Sequence, residues 1–349
     1  MKTRLPLAGL LALASLTPAF AETPPAVSTE GSKAELPKEQ TPFDTLKEYL
    51  SVEGYVAASW AGTKPKGSSH TDTLFDSGAN NLDSAKVALV GKYENLSGKV
   101  SMFYVPESSG SSGISNAKVL DAYLAYTYDK LTFTGGKFLS FMGYEAFEAV
   151  GMNQLTWGFA SGIPAYRTGA KIEYTEDTYW VGFSMTDSFG STGTLLQKGD
   201  NDWSNGLGYE LAAGYTGIEK LTLFAGLGYN DEHGTTNKYM FDVWATYELT
   251  DKLTVGGEVS FLKNDSLSFI GTAQYAFTED FFLLGRVSAQ RVENSSNTWG
   301  SYWTIAPTYK LSENLLVRAE YSYSASGRVP GWSVGARGSF YGAQVLLTF

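Results

Sequence analysis

The chain of 349 residues contains no cysteine and only two histidines, His70 and His233. The missing cysteines exclude a disulfide framework, a thiol nucleophile and a thiolate metal site. Two isolated histidines offer neither a Ser–His pair nor a His-Glu-x-x-His zinc site, so no enzyme and no cofactor is expected. Past residue 21 no run approaches the roughly 18 apolar residues that a membrane helix needs. Basic side chains are also scarce. Setting aside Lys2 and Arg4 leaves 24 basic against 36 acidic residues, a net charge of −12 that suits no nucleic-acid backbone.

The N-terminus has the order of a secretory signal. Lys2 and Arg4 precede an apolar stretch, Leu5 to Phe20, and Ala19-Phe20-Ala21 forms a small-residue cleavage site, so residues 1–21 read as a signal peptide. Residues 22–50 are rich in Pro, Glu, Lys and Ser and read as a flexible leader, with a short helix over Phe43 to Leu50. Residues 51–349 form the folded domain.

That domain is rich in what strands use. The chain has 38 glycines, 22 tyrosines and 20 phenylalanines, and from Val52 onward apolar and polar residues alternate. In "YMFDVWATYEL", Tyr239, Phe241, Val243, Ala245 and Tyr247 share one face, while Met240, Asp242, Trp244 and Thr246 share the other. Seven short connections recur: "YENLSG", "YDKL", "YTEDT", "YTGIEKL", "YELTDKL", "YAFTEDF" and "YKLSENL". Each follows a tyrosine, and between them lie two strands and one longer loop, a repeat at the level of the hairpin.

The pattern predicts sixteen strands: 52–63, 84–93, 98–105, 117–128, 131–139, 165–175, 178–187, 206–216, 219–230, 237–249, 252–263, 266–277, 280–292, 298–311, 314–325 and 334–349. Sixteen antiparallel strands with short turns at one end and long loops at the other describe a transmembrane β-barrel of the outer membrane, turns in the periplasm and loops outside. A soluble sandwich also alternates, but seldom segregates its turn lengths so regularly. In a barrel, the tyrosine before each short turn sits at the lipid–water interface. The predicted periplasmic girdle is Tyr93, Tyr128, Tyr174, Tyr215, Tyr247, Tyr275, Tyr309 and Phe349, the last residue of "YGAQVLLTF".

The longest connection is the third, Ser140 to Pro164, and it resembles the constriction loop of sixteen-stranded trimeric porins, which folds into the lumen. More specifically, "GGKFLSFMGYEAFEAVGMN" followed by "SGIPAYRTGAKIEY" resembles the beta-barrel porin-2 (OmpL-like) family. The matching residues are Gly136-Lys137-Phe138, Gly143-Tyr144-Glu145, Asn153, Pro164 and Thr168-Gly169; Arg167 stands where that family often has histidine. The resemblance implies a porin, a homotrimer, and a terminal aromatic strand offered to the barrel assembly machinery.

Strand parity turns Lys86, Lys92, Lys99, Arg167, Lys171, Arg286, Arg318 and Arg337 inward, with Asp121, Glu173, Glu210, Asp242, Glu258 and Glu320. A charge facing lipid at midplane costs roughly 2–4 kcal/mol, which favours this assignment. The predicted constriction sets Glu145 and Glu148 of the third loop, with Lys137 at its base, against Arg167, Lys171, Arg286, Arg318 and Arg337. The loop rings Phe141, Tyr144, Phe147, Trp157 and Phe159, with Trp244 and Tyr302, offer stacking surfaces for sugars or simply pack the loop on the wall. The expected function is passive diffusion of small hydrophilic solutes or ions, with membrane lipid and lipopolysaccharide around the barrel. The alternative is a non-conducting barrel with a plugged lumen, acting as a structural or adhesive surface protein.

Overall fold

The computed structural model describes residues 48–66, 71–74, 83–104, 117–158, 164–187, 206–232, 237–263, 266–292, 299–326 and 337–349. The signal segment and nearly all of the leader lie outside these. Of the helix expected over 43–50, Glu48 and Tyr49 are helical and Leu50 already opens the first strand.

The strands are β1 Leu50–Pro65, β2 Thr71–Leu74, β3 Ser84–Tyr93, β4 Leu96–Tyr104, β5 Ala117–Tyr128, β6 Leu131–Leu139, β7 Tyr166–Thr175, β8 Tyr179–Asp187, β9 Gly206–Ile218, β10 Leu221–Glu232, β11 Lys238–Thr250, β12 Leu253–Leu262, β13 Ser266–Ala276, β14 Phe281–Val292, β15 Trp299–Lys310, β16 Leu315–Ser326 and β17 Gly338–Thr348. Short β2 folds back on β1 over Trp60–Thr63 and is an addition to the predicted set. The other sixteen pair antiparallel with their neighbours, and β17 pairs with β1, so the sheet closes into a barrel without edges. Among the described residues no helix is long and apolar enough to cross a membrane.

The seam runs from Pro65 opposite Gly338 to Tyr55 opposite Thr348, and Phe349 extends it by one more pair. Phe349 N–H donates to Gly54 O at 3.0 Å, and Gly54 N–H donates to Phe349 O at 2.8 Å. Glycine is required there: a Cβ on residue 54 would stand 2.3 Å from Lys86 O and 2.6 Å from the Phe349 ring.

Why the short turns repeat the same residue types follows from their backbone. Glu94, Asp129 and Lys220 take positive φ angles of 50°, 52° and 63°. A two- or three-residue reversal between twisted strands demands this conformation, which polar residues tolerate better than β-branched ones. Lys130 in the β5–β6 turn also binds Glu176 after β7 at 2.6 Å. Hydrogen bonds from Lys130 and from the Tyr174 hydroxyl hold the Glu176 carboxyl below its ordinary range, and the bond to Glu176 raises Lys130.

Burial alternates as the sequence pattern requires. On β3, Ser84, Lys86 and Ala88 are buried while Val87 and Leu89 are exposed. Exposed apolar side chains form the outer belt, and the predicted girdle tyrosines share its outward parity at the short-turn ends of their strands. Seven of the eight girdle residues are exposed, up to 66 % for Tyr128, and Tyr174 is half-buried against Tyr179. One irregularity matters inside: Ser101 of β4 faces both Leu120 and Asp121 of β5, a bulge that turns both inward.

Candidate functional site

The third loop, between β6 and β7, does fold into the lumen. Its first turn is held by wall carboxylates on alternate inward positions. Glu210 of β9 accepts the Ser140 hydroxyl at 2.5 Å and the Phe141 N–H at 3.3 Å. Asp242 of β11 accepts the Gly143 N–H at 2.7 Å, and Glu258 of β12 accepts the Tyr144 N–H at 3.1 Å. Farther along, Glu320 of β16 takes the N–H groups of Leu155 and Thr156 at 2.6 and 2.9 Å. An irregular segment has backbone donors with no ladder partner, and in a desolvated place each needs an acceptor. The inward acids supply them.

Two arginines satisfy the loop's carbonyls from the wall. Arg286 of β14 donates to Thr156 O at 2.6 Å and to Glu145 at 2.5 Å, and its guanidinium lies over the Tyr302 ring. Arg318 of β16 donates to Ala149 O at 3.0 Å and to Met152 O, beside a bond to Gln344 at 2.8 Å. Lys86 of β3 bridges Glu148 of the loop at 2.6 Å and Asp121 of β5 at 2.8 Å; the bulge is what brings Asp121 there. Such pairs replace lost hydration through the donors and acceptors that are matched, and here the Arg286 Nε and one Asp242 oxygen are left without a partner among the described residues.

Apolar contacts complete the attachment. Phe141 and Met142 pack with Phe224, Met240 and Trp244 on one side, with Tyr144 and Trp180 against them. Ala149 packs with Tyr55, Phe103 and Leu120, joined by Phe147 and Tyr166. Leu155 sits between Ala61 and Phe340. The lumen at this level is therefore a mixed polar and apolar interior rather than a uniformly wet one.

The structure sorts the predicted constriction residues. Glu145, Glu148, Arg286 and Arg318 are brought together, but as direct loop-to-wall contacts rather than as opposed charges facing across open water. Lys171 faces the lumen beside Glu173 at 2.9 Å and over the Phe138 and Phe141 rings. Arg167 points inward near the extracellular end of β7, the end that also holds Asp187 of β8. Arg337 is exposed, just ahead of β17, where its carbonyl accepts Lys66 N–H. Lys137 is not brought to the lumen. It shares the outward parity of exposed Phe133 and Leu139, and its Nζ donates to Val119 O at 2.8 Å.

The loop rings also differ from a stacking track. Tyr144 lies against Trp244, Phe147 stacks on Trp157 at 6.0 Å, and Trp157 is fixed by bonds through its Nε1 and carbonyl. Phe159 lies outside the described residues. Missed in the sequence were Thr156, Tyr166 and Gln344, which carry loop contacts with no local pattern to announce them.

Solved structures of similar shape are outer-membrane barrels. OmpT of Vibrio cholerae superposes with a TM-score of 0.57 at 15 % identity, over 86 % of this chain and 97 % of its own. The outer-membrane channel DcaP of Acinetobacter baumannii gives 0.61 at 13 % identity, and Salmonella typhi OmpF 0.64 at 12 %, each over the same 86 % and 97 %. No curated protein matches the chain by sequence. Sequence, barrel and outer belt together place it in the bacterial outer membrane. Over residues 50–349 the chain matches the family described as putative beta-barrel porin-2, OmpL-like, and it belongs to that porin family.

Proposed function

We propose that this porin is a water-filled channel for passive diffusion of small hydrophilic solutes and ions. The observation that carries the reading is the inward face of a closed wall, where Glu53 of β1, Lys99 of β4 and Lys171 of β7 remain partly accessible. Charged groups in an aqueous lumen interact with passing ions without the cost of full desolvation. Sugars enter this proposal only as hydrophilic solutes, because the loop rings are engaged with the wall.

The assembly is read as a homotrimer, a reading supported by the trimer form in which Vibrio cholerae OmpT is described. Lipid and lipopolysaccharide surround the belt, and β17 with its terminal Phe349 is the strand offered to the assembly machinery. In planar bilayers the refolded protein is expected to give stable open steps in potassium chloride; a refolded barrel that never conducts overturns the channel. The density of loop-to-wall contacts favours a second reading, a plugged structural or adhesive barrel, and the same recording separates the two.

A further inference from the structure

We infer that the outer wall over β8–β15 is a docking site for one phosphorylated, multiply acylated glycolipid of the outer leaflet. This deepens the lipid-partner part of the proposal above and does not depend on conduction.

The belt is not uniform around the barrel. Over β3–β5 it is built from tall side chains such as Val87, Leu89, Val100, Met102 and Leu124, all exposed. Over β9–β14 the outward positions at mid-height include Ala213, Ala225, Ala245, Gly257, Gly271 and Ala289, with Val243 and Val287 among them. The register sets these side by side: Ala213 opposite Ala225, Ala245 opposite Gly257, Gly257 opposite Gly271. Small side chains lower the surface, and the result is an apolar hollow of about 960 Å³ with Tyr179 and Tyr215 at one end and Trp303 at the other. A second barrel presents a convex wall that leaves such a hollow unfilled, whereas flexible acyl chains fill it.

Directly above the hollow stand two cations. Arg291 follows Ala289 by one outward step on β14, opposite Leu267 and Trp299. Lys263 follows β12, two outward steps beyond Val259, where its N–H donates to Tyr239 O. Both lie over aromatic rings, Lys263 Nζ 4.9 Å from the Tyr239 centroid and Arg291 Cζ 5.8 Å from that of Trp299. The Arg291 Nε meets no hydrogen-bond partner among the described residues. Asp265 and Glu293, which follow in the same connections, lie outside those residues. Neighbouring strands are about 4.8 Å apart, so the two cations are separated laterally by roughly 10 Å. That is a span for more than one anionic group on a single headgroup.

Shape and charge thus ask for one molecule: several chains in the hollow, phosphates on Lys263 and Arg291. Among the described residues no acidic group is paired with Lys263 or Arg291, and a phosphorylated headgroup supplies charge of the matching sign. The rings hold the cations at the height where headgroup meets hydrocarbon.

The test uses the full barrel in non-ionic detergent, titrated with bis-phosphorylated hexa-acyl lipid A, its dephosphorylated form, or phosphatidylethanolamine, with bound lipid counted by native mass spectrometry. One bis-phosphorylated molecule is expected to be retained, with the two other lipids at least roughly tenfold weaker. The Lys263→Gln/Arg291→Gln variant is expected to lose a similar factor. So is Ala225→Leu/Ala245→Leu, which keeps both charges and fills the hollow. Unchanged gel mobility before and after heating shows that each variant is folded. Equal binding of the dephosphorylated form, or unaltered affinity in both variants, overturns the inference. A hollow-filling variant that changes the oligomeric state while binding lipid A normally also overturns it, and assigns the surface to a second copy. A barrel that binds lipid A but never conducts would reject the channel alone.

Discussion

Glu145 of the third loop and Arg286 on β14, 141 positions apart, meet at 2.5 Å with side chains 4 % and 0 % exposed. Because Arg286 also holds Thr156 O, one guanidinium fastens both limbs of the loop. Replacing one partner of a buried pair leaves a charge without its counterion, typically at a cost of about 3–5 kcal/mol. Glu145→Gln is therefore expected to loosen the loop, raising single-channel conductance and open-state noise and exposing residues 140–158 to protease. The paired Glu145→Leu/Arg286→Leu change is expected to disturb the loop less than Arg286→Leu alone, which strands the buried Glu145 carboxylate. A single variant with wild-type noise and protease resistance would show that this contact does not hold the loop.

Glu320 offers a second handle on the same loop. Its carboxylate accepts two backbone N–H groups, and Glu320→Ala leaves both unpaired in a buried place, a loss of about 1–3 kcal/mol each. Conductance should become noisier, while the melting temperature of the barrel wall, read as heat-modified gel mobility, moves little. A large fall in wall stability with quiet conductance would contradict this division.

Gly54 is expected to tolerate no larger residue. Gly54→Val drives a side chain into Lys86 O and the Phe349 ring, so the seam between β1 and β17 fails to form. The fraction of refolded, heat-modifiable barrel should drop sharply, and Phe349→Ala combined with Gly54→Ala should recover little, because the Lys86 carbonyl remains in the way. Efficient refolding of Gly54→Val would refute the role of this contact.

The Lys130–Glu176 pair predicts a pH dependence at the turn end. A carboxyl held below its ordinary value adds stability above the unfolded value, near 4.3, and loses it as pH falls through its folded value. The Glu176→Gln barrel should therefore melt slightly below wild type at pH 7, and the gap should close as the pH falls below about 4. A gap that persists unchanged at pH 3 would place the effect elsewhere. The pair is exposed, so the difference at pH 7 is small.

Much of the barrel is legible from period two alone. Every predicted strand exists, and nearly all boundaries shift by three residues or fewer, because alternation and turn chemistry are local properties. Parity also found the inward acids Glu210, Asp242, Glu258 and Glu320. Their task stayed hidden, since each serves a backbone N–H far away in sequence and no local signal marks the acceptor's partner. Lys137 shows the opposite case: alternation from Phe133 through Gly135 to Leu139 turns it outward, but its place in the Gly136-Lys137-Phe138 motif drew it to the loop. The Leu120–Asp121 bulge breaks alternation without a glycine or proline to announce it.

The loop's long-range bonds also impose an order of events. Met152 is held by Arg318, 166 positions later, and Thr156 by Glu320, 164 later. The limb of the loop from Met152 to Thr156 therefore gains these partners only once β16 has joined the wall, whereas Ser140 to Glu148 already meet acceptors and cations on β3, β9, β11 and β12. The two limbs of one loop are thus fastened to stretches of wall made at different points along the chain.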